Sequence, residues 1–88
     1  MSRSISSPIH RALVGYLIHT RKEAGLTQAE VAKKLGRHQS FVATIEAGQR
    51  RIDVVDLFDF ASAIGFSPLA AIEAVEHVSR RPINREPL

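Results

Sequence analysis

Residues 26–48 have the sequence LTQAEVAKKLGRHQSFVATIEAG, and this stretch decides the fold. Thr27 and Glu30 have the spacing of a capping box, in which each side chain accepts a hydrogen bond from the backbone N–H of the other residue at the start of a helix. Gly36 and Gly48 are typical of helix ends. The stretch therefore predicts two short helices, of about eight and nine residues, separated by a tight turn.

The second helix of this pair, over residues 39–47, has an unusual outer face. Its spacing places Val42 and Ile45 inward. The other face is short, polar and uncharged, and it consists of Gln39, Ser40, Ala43 and Thr44. Two short helices joined by a tight turn are typical of a helix-turn-helix, whose second helix fits the major groove of B-DNA. An ordinary solvated helix face is the alternative interpretation.

The side chains of this outer face have the chemistry needed to read base edges. The Gln39 amide can pair with N6 and N7 of adenine. The hydroxyls of Ser40 and Thr44 can donate or accept, and the methyl group of Thr44 or Ala43 can contact that of thymine. These residues are therefore candidates for base reading.

Three further helices are predicted around the pair. Ser7-Pro8 and Gly25 are a typical start and end for a first helix. Its predicted apolar face consists of Ile9, Leu13, Leu17 and Thr20. Asp53, with Asp56 three residues later, is a typical start for a fourth helix. Its predicted apolar face consists of Val54, Leu57, Phe58, Ala61 and Ile64. Ser67-Pro68 has the pattern of a fifth start.

No stretch alternates between apolar and polar residues for long enough to predict a strand. The expected fold class is therefore all-α, a five-helix bundle that contains a helix-turn-helix. We expect a flexible N-terminus over residues 1–7, one DNA-binding domain over residues 8–78 and a C-terminal tail over residues 79–88. A chain of 88 residues has room for one modest core.

Charge is distributed unevenly along the chain. Residues 1–51 carry a net charge of +6, whereas residues 52–88 carry −3. A basic first half indicates a surface that binds a polyanion, and uneven surface charge without such a partner is the alternative.

The composition excludes several classes of protein. There is no cysteine, which excludes disulfide frameworks and thiol catalysis. Neither a G-x-S-x-G elbow nor a phosphate-binding glycine loop occurs. Glu73 and His77 share a helical face, but two ligands make a weak zinc site. We therefore expect no catalytic residue, no metal and no cofactor.

The sequence also bears on the cellular compartment. The longest stretch without a charged residue, Phe60 to Ile72, has 13 residues and is too short to span a bilayer. The Ser-rich start has no apolar segment of the kind found in signal peptides. We expect a cytoplasmic protein without membrane contact.

Residues 26–36, with residues 39–42 and 45–48, resemble the XRE family of helix-turn-helix proteins, which includes the lambdoid phage repressors and Cro. Ala61, Ile64 and Gly65 are similar to the family's fourth helix. The resemblance extends over nearly the whole chain and implies a lambda-repressor-like DNA-binding domain.

The resemblance implies roles for individual residues. Gln28 resembles a glutamine that contacts phosphate and braces the first base-reading residue, which is Gln39 here. Gln39, Ser40 and Thr44 match base-reading positions. Arg21 and Glu46 match a structural ion pair that joins the first helix to the third. The expected phosphate contacts are Gln28, Thr27, Arg37, His38, Gln49, Arg50 and Arg51. For Arg37, a solvated turn residue is the alternative.

Two residues depart from the family pattern. His38 stands where Ser or Thr usually caps the reading helix, and His is a weaker cap, although its protonated form is favoured beside a phosphate. Phe41 stands where a small polar residue is common. It either contacts a thymine methyl group or sugar, and so joins the base-reading set with Ala43, or it packs against the second helix.

We expect a homodimeric transcriptional repressor or autoregulator that binds double-stranded DNA. Two-fold symmetry would place two reading helices about 34 Å apart on a near-palindromic operator. The expected dimer interface consists of Leu69, Ile72, Val75, Val78 and Ile83. Alternatively, these residues close the core of the monomer and form no dimer interface. A toxin or another protein is a further expected partner, and an XRE-like protein-interaction module without base reading is the alternative function.

Overall fold

Five α-helices and no strand make up residues 7–79, which is the part of the chain that this computed structural model describes. The helices are α1 (Pro8–Glu23), α2 (Gln28–Leu35), α3 (Gln39–Glu46), α4 (Val54–Ile64) and α5 (Pro68–Ser79). The predicted all-α class is confirmed. Apart from Ser7 and Ser79, the expected N-terminal segment and tail lie outside the described residues. Within residues 7–79, every helix is too short or too polar to cross a bilayer.

The start of α2 has the predicted capping box. The Glu30 N–H donates to Thr27 Oγ1 at 3.0 Å, and the Thr27 N–H donates to Glu30 Oε1 at 2.8 Å. Gly36 ends the helix with a φ of 71°, a left-handed conformation that favours glycine. Thr27 and Glu30 thus set the start of α2 and Gly36 sets its end, and all three are close in sequence.

The start of α4 is a second capping box, built from two aspartates. The Asp56 N–H donates to Asp53 Oδ1 at 2.7 Å, and the Asp53 N–H donates to Asp56 Oδ2 at 3.1 Å. This confirms the predicted start. The Asp56 side chain is buried, on the side of α4 that faces the core.

The core lies where α1, α2, α3 and α4 meet, and α5 closes it by packing chiefly along α1. Its largest fully buried side chains are Phe60, Leu17, Ile45, Val31 and Val42. Burial of these side chains stabilises α2 and α3, which at eight residues each would be marginal alone.

The predicted apolar face of α1 was right at Leu17, which is fully buried, and wrong in part elsewhere. The structure buries His10, Val14 and Leu17, whereas Ile9 is 46% exposed and Leu13 is half-buried. Thr20 is also only half-buried, and its hydroxyl donates to the Tyr16 and Leu17 carbonyls. A helix as rich in apolar residues as α1 offers two adjacent faces, and hydropathy does not choose between them.

The predicted apolar face of α4 was also wrong in part. Leu57 and Ala61 are buried as expected, but Phe60 is the buried aromatic residue at 1% exposure. Phe58 is 55% exposed and Val54 68% exposed. Asp56 is buried, and Phe60 lies one helical turn beyond Asp56 on the same side of α4.

Candidate nucleic-acid interface

The outer face of α3 is open to a ligand. Val42 and Ile45 are fully buried, which confirms the predicted inward positions. On the opposite side Gln39 and Ser40 are exposed, and Thr44 is half-buried beside Ala43. The helix therefore presents the polar face that the sequence predicted.

An ion pair holds the C-terminal end of α3 against α1. Arg21 Nε donates to Glu46 Oε2 at 2.6 Å, and a second Arg21 nitrogen donates to Glu46 Oε1 at 2.9 Å. A third Arg21 nitrogen donates to the Leu26 carbonyl at 2.9 Å. The two side chains are only 11% and 8% exposed. The predicted pair is thus formed, bidentate and shielded from solvent.

Hydrogen bonds continue from this pair to the start of α3. Gln28 Nε2 donates to Glu46 Oε1 at 2.9 Å, and Gln39 Nε2 donates to Gln28 Oε1 at 2.8 Å. We call these four residues, Arg21, Glu46, Gln28 and Gln39, the polar chain. It links α1, α2 and both ends of α3.

The polar chain fixes the orientation of both amides. A carboxylate only accepts hydrogen bonds, so Gln28 must turn its NH₂ group toward Glu46. Its oxygen then faces Gln39, which must turn its own NH₂ group inward. Gln39 is left with its Oε1 atom and one N–H, which is the donor and acceptor pair that matches adenine N7 and N6.

The environment of Glu46 also sets its protonation. Burial raises the pKa of this carboxyl, but hydrogen bonds from Arg21 and Gln28, together with the charge of Arg21, lower it by more. The net pKa lies below the ordinary value, so Glu46 is ionised near neutral pH. The hydrogen bond to Glu46 likewise raises the pKa of Arg21.

Thr44 and Ser40 differ in what they can offer to a base. The Thr44 hydroxyl donates to the Ser40 carbonyl at 2.7 Å. Its proton is therefore in use, which leaves the Thr44 hydroxyl as an acceptor beside the methyl group of the same side chain. The Ser40 hydroxyl is exposed and keeps both functions.

The start of α3 carries no side-chain cap. His38 has the extended backbone of an N-cap residue, but its side chain makes no capping hydrogen bond. The Phe41 N–H donates to the His38 carbonyl at 2.9 Å, so the N–H groups of Gln39 and Ser40 are the ones that remain available to an acceptor from outside. In α2 the corresponding third N–H, that of Glu30, donates to the Thr27 side chain instead.

Basic side chains border α3 on both sides. Arg37 precedes the helix, and Arg50 and Arg51 follow it, all of them exposed. Arg50 lies 3.6 Å from the buried carboxylate of Asp56. Arg51 forms no ion pair with any of residues 7–79. Gln49, which precedes the two arginines, is exposed as well.

The Phe41 ring packs inward. It is half-buried, and it is stacked with Phe60 at a centroid distance of 6.3 Å. The guanidinium of Arg37 lies 4.0 Å and that of Arg50 lies 4.9 Å from the centroid of the Phe41 ring. This geometry favours inward packing over contact with a base, but the stacking partner lies on α4, whereas the packing alternative named the second helix.

Sequence reasoning missed one residue that supports this surface. His10 is buried, and its Nε2 atom accepts a hydrogen bond from the Ile52 N–H at 3.2 Å. The bond ties α1 to the loop that carries Arg50 and Arg51. The partners are 42 residues apart, so no local signal could have revealed the contact.

A second surface lies on α5 and α4. Leu69 is 62% and Ile72 is 51% exposed, whereas Val75 and Val78 are half-buried. Ile83 lies outside the described residues. Val54, Val55 and Phe58 on α4 are exposed as well, although Val54 and Phe58 had been predicted for the apolar face of that helix.

Known proteins resemble this chain in both sequence and fold. A family model described as a helix-turn-helix domain matches residues 12–75. An XRE-family like protein from Pseudomonas syringae pv. tomato has a TM-score of 0.79 and 39% identity, over 88% of this chain and 94% of that one. The uncharacterized HTH-type transcriptional regulator y4dJ of Sinorhizobium fredii is 40% identical over 58 residues, which are 65% of this chain and 75% of that protein. The restriction-modification controller protein C.AhdI from Aeromonas hydrophila has a TM-score of 0.65 and 27% identity, over 70% of this chain and 94% of its own.

Proposed function

The chain belongs to the XRE family of helix-turn-helix proteins, and from this premise we propose that it is a dimeric repressor that reads a near-palindromic operator. Members of the family are DNA-binding transcriptional regulators and not enzymes, in agreement with the prediction made from the sequence. The proposal concerns which bases are read, how two copies assemble and how transcription responds.

The observation that carries the proposal is the polar chain. It holds both ends of α3 and leaves one donor and one acceptor of the Gln39 amide facing outward. An ordinary solvated glutamine has no need of such fixation. A fixed amide at the start of a helix that fits the major groove is suited to bidentate recognition of adenine.

The rest of the α3 face completes the proposed base reading. Ser40 donates or accepts, because its hydroxyl is exposed and rotates freely. Thr44 accepts a hydrogen bond and contacts a thymine methyl group with its own methyl group. Ala43, the small residue beside them, allows the backbone of α3 to approach the bases closely.

The proposed phosphate contacts surround this face. Arg51 is the strongest candidate, since it is exposed and makes no ion pair with residues 7–79. The Thr27 hydroxyl still has its proton to donate, because the capping box uses it only as an acceptor. Gln28 retains one N–H beyond the polar chain. The remaining candidates are Arg37, His38, Gln49 and Arg50.

We propose that the dimer forms through α5. The exposed apolar side chains of Leu69 and Ile72 favour burial against another surface. This face belongs to the half of the chain with net negative charge, which suits a location away from DNA. Ile9, which is exposed and lines the same groove as Leu69 and Ile72, would extend the same interface.

Regulation by a dimer of this kind would depend on the concentration of the protein and on its dimerisation equilibrium. The proposed location is the cytoplasm, where the DNA of a bacterial cell lies. A toxin gene beside the coding sequence would favour an antitoxin with that toxin as partner. A neighbouring restriction enzyme gene would favour a restriction-modification controller protein, which is the role of C.AhdI.

The proposal is tested by selecting binders from a random pool of duplex DNA at fixed, near-physiological salt. We expect an enriched inverted repeat with an adenine in each half-site and centres about 34 Å apart, or a multiple of that distance. A repeat without a preferred adenine would contradict the role of Gln39. A pool that binds but never converges would contradict base reading and favour the protein-interaction module.

A further inference from the structure

The Phe41 ring joins the two basic segments that flank α3. Arg37 belongs to the turn before the helix and Arg50 to the loop after it, yet both guanidinium groups lie within 5 Å of the ring centroid, at 4.0 Å and 4.9 Å. Nothing in the chain order requires them to meet. A single aromatic side chain therefore gathers two cations on one side of the reading helix.

The ring itself is held in place by the core. Phe41 stacks with Phe60 at an interplanar angle of 22°, and Phe60 is 1% exposed. The position of Phe41 is thus set by packing that does not depend on a ligand. This gives Arg37 and Arg50 a rigid platform, in contrast to the usual mobility of exposed arginine side chains.

The two guanidinium groups retain N–H donors for an anion, although Arg50 already directs one nitrogen toward Asp56. An arginine that lies over an aromatic ring uses its flat face, while its N–H groups point outward in the guanidinium plane. Asp56 pairs with Arg50 at 3.6 Å, and Asp59 lines the same small space. Arg37 makes no ion pair with residues 7–79, so the two arginines are not fully neutralised.

We propose that Phe41 is a positioning residue that holds Arg37 and Arg50 as a preassembled site for the DNA backbone beside α3. The inference rests on the proposed DNA-binding function and assigns to Phe41 a role that is separate from base reading. Phosphate oxygens accept hydrogen bonds from guanidinium groups in a geometry that favours arginine over lysine. Prior ordering of both side chains lowers the entropy lost on binding.

The test compares Phe41→Leu with Phe41→Tyr. Leucine keeps apolar contact with Phe60 but removes the aromatic face, whereas tyrosine keeps the ring. Affinity is measured for the selected operator and for a random duplex of equal length, as a function of salt. Thermal melting of each variant sets a temperature at which all of them are folded.

We expect Phe41→Leu to weaken binding to both duplexes by a similar factor, about fivefold. The slope of log affinity against log salt concentration should become shallower by about one unit. Base preference should not change in Phe41→Leu. Phe41→Tyr should keep the wild-type salt dependence, because it keeps the aromatic ring. In Phe41→Leu, adding Arg37→Gln should have less effect than in the wild type. Arg51 does not touch the ring, so Arg51→Ala serves as the control. It should flatten the salt dependence by the same amount in the wild type and in Phe41→Leu.

Two results would overturn the inference. If Phe41→Leu changes the preference at one operator position and leaves the slope intact, Phe41 reads a base. If Arg37→Gln has the same effect in both backgrounds, the ring does not position that arginine. A wild-type protein that binds no duplex would instead contradict the proposed function itself, so the two failures are distinguishable.

Discussion

The two helices of the helix-turn-helix are equally long, at eight residues each, but they are held in different ways. At α2, a capping box closes the start and Gly36 closes the end, so its limits depend on residues close in sequence. At α3, the start has no side-chain cap, and the helix is held by Arg21 and by Gln28. Helix α3 thus takes its orientation from the rest of the fold, so under the proposed base reading we expect residues far from DNA to affect base preference.

The largest effect should come from removing the long-range anchor of α3. Glu46→Ala leaves the shielded guanidinium of Arg21 without its partner and should cost about 3 kcal/mol of unfolding free energy. For a domain of this size the midpoint of thermal unfolding should fall by roughly 15 °C. Circular dichroism melting measures this loss.

The matched control makes the same substitution in the local anchor of α2. Glu30→Ala removes half of an exposed capping box and should cost only about 1 kcal/mol. Equal losses in the two variants would contradict the contrast between a locally and a globally held helix.

The next effect concerns DNA affinity. Gln39→Ala should lose about 2 kcal/mol on the operator and relax the preference at one base pair. Gln28→Ala should relax the same position, because it removes the acceptor that fixes the Gln39 amide. Competition binding against operators changed at single positions measures both. An unaltered preference in Gln28→Ala would show that the polar chain does not orient the reading residue.

Because α2 is held by nearby residues and α3 by distant ones, the sequence predicted more of the contacts of α2 than of α3. The capping box of α2 lies within four residues, and periodicity places Val42 and Ile45 inward on α3, so both were predicted correctly. The link between Arg21 and Glu46 came from family resemblance, since the partners are 25 residues apart. Local pattern did not reveal it.

The errors have a related cause. Helix α4 is apolar at most positions, and whether Phe58 or Phe60 is buried depends on which side of the helix packs against the rest of the core. The bond from Ile52 to His10 depends on how α1 meets the loop after α3. Such contacts arise from tertiary packing, which single-sequence periodicity does not contain.

Lowering the pH should weaken the ion pair between Arg21 and Glu46 that anchors α3, without any substitution. The pKa of Glu46 is lower in the folded chain than its usual value of about 4.3, so the stability it contributes is complete above that pH and is lost as the pH falls through the folded value. The loss should be smaller than in Glu46→Ala, because a protonated carboxyl still forms hydrogen bonds.

Unfolding free energies of the wild type and Glu46→Gln, measured from pH 7 to pH 3, isolate this titration. Glutamine has nearly the same shape and does not ionise. The advantage of the wild type over Glu46→Gln should therefore shrink as the pH falls below about 4.3. A constant difference would mean that the charge of Glu46 does not stabilise the fold.

The smallest effect tests whether α3 can be made to resemble α2. His38→Ser supplies the missing cap and should add about 0.5–1 kcal/mol of stability, because a serine oxygen can accept from the first-turn N–H groups. The reciprocal variant Thr27→His opens the start of α2 and should cost a similar amount. Base preference should stay the same in His38→Ser, since the orientation of α3 depends on Glu46 and Gln28 and not on its own start. Denaturant unfolding measures the stability, and binding to operators changed at single positions measures the base preference. A base preference altered by His38→Ser would mean that the start of α3 does set the orientation of the helix.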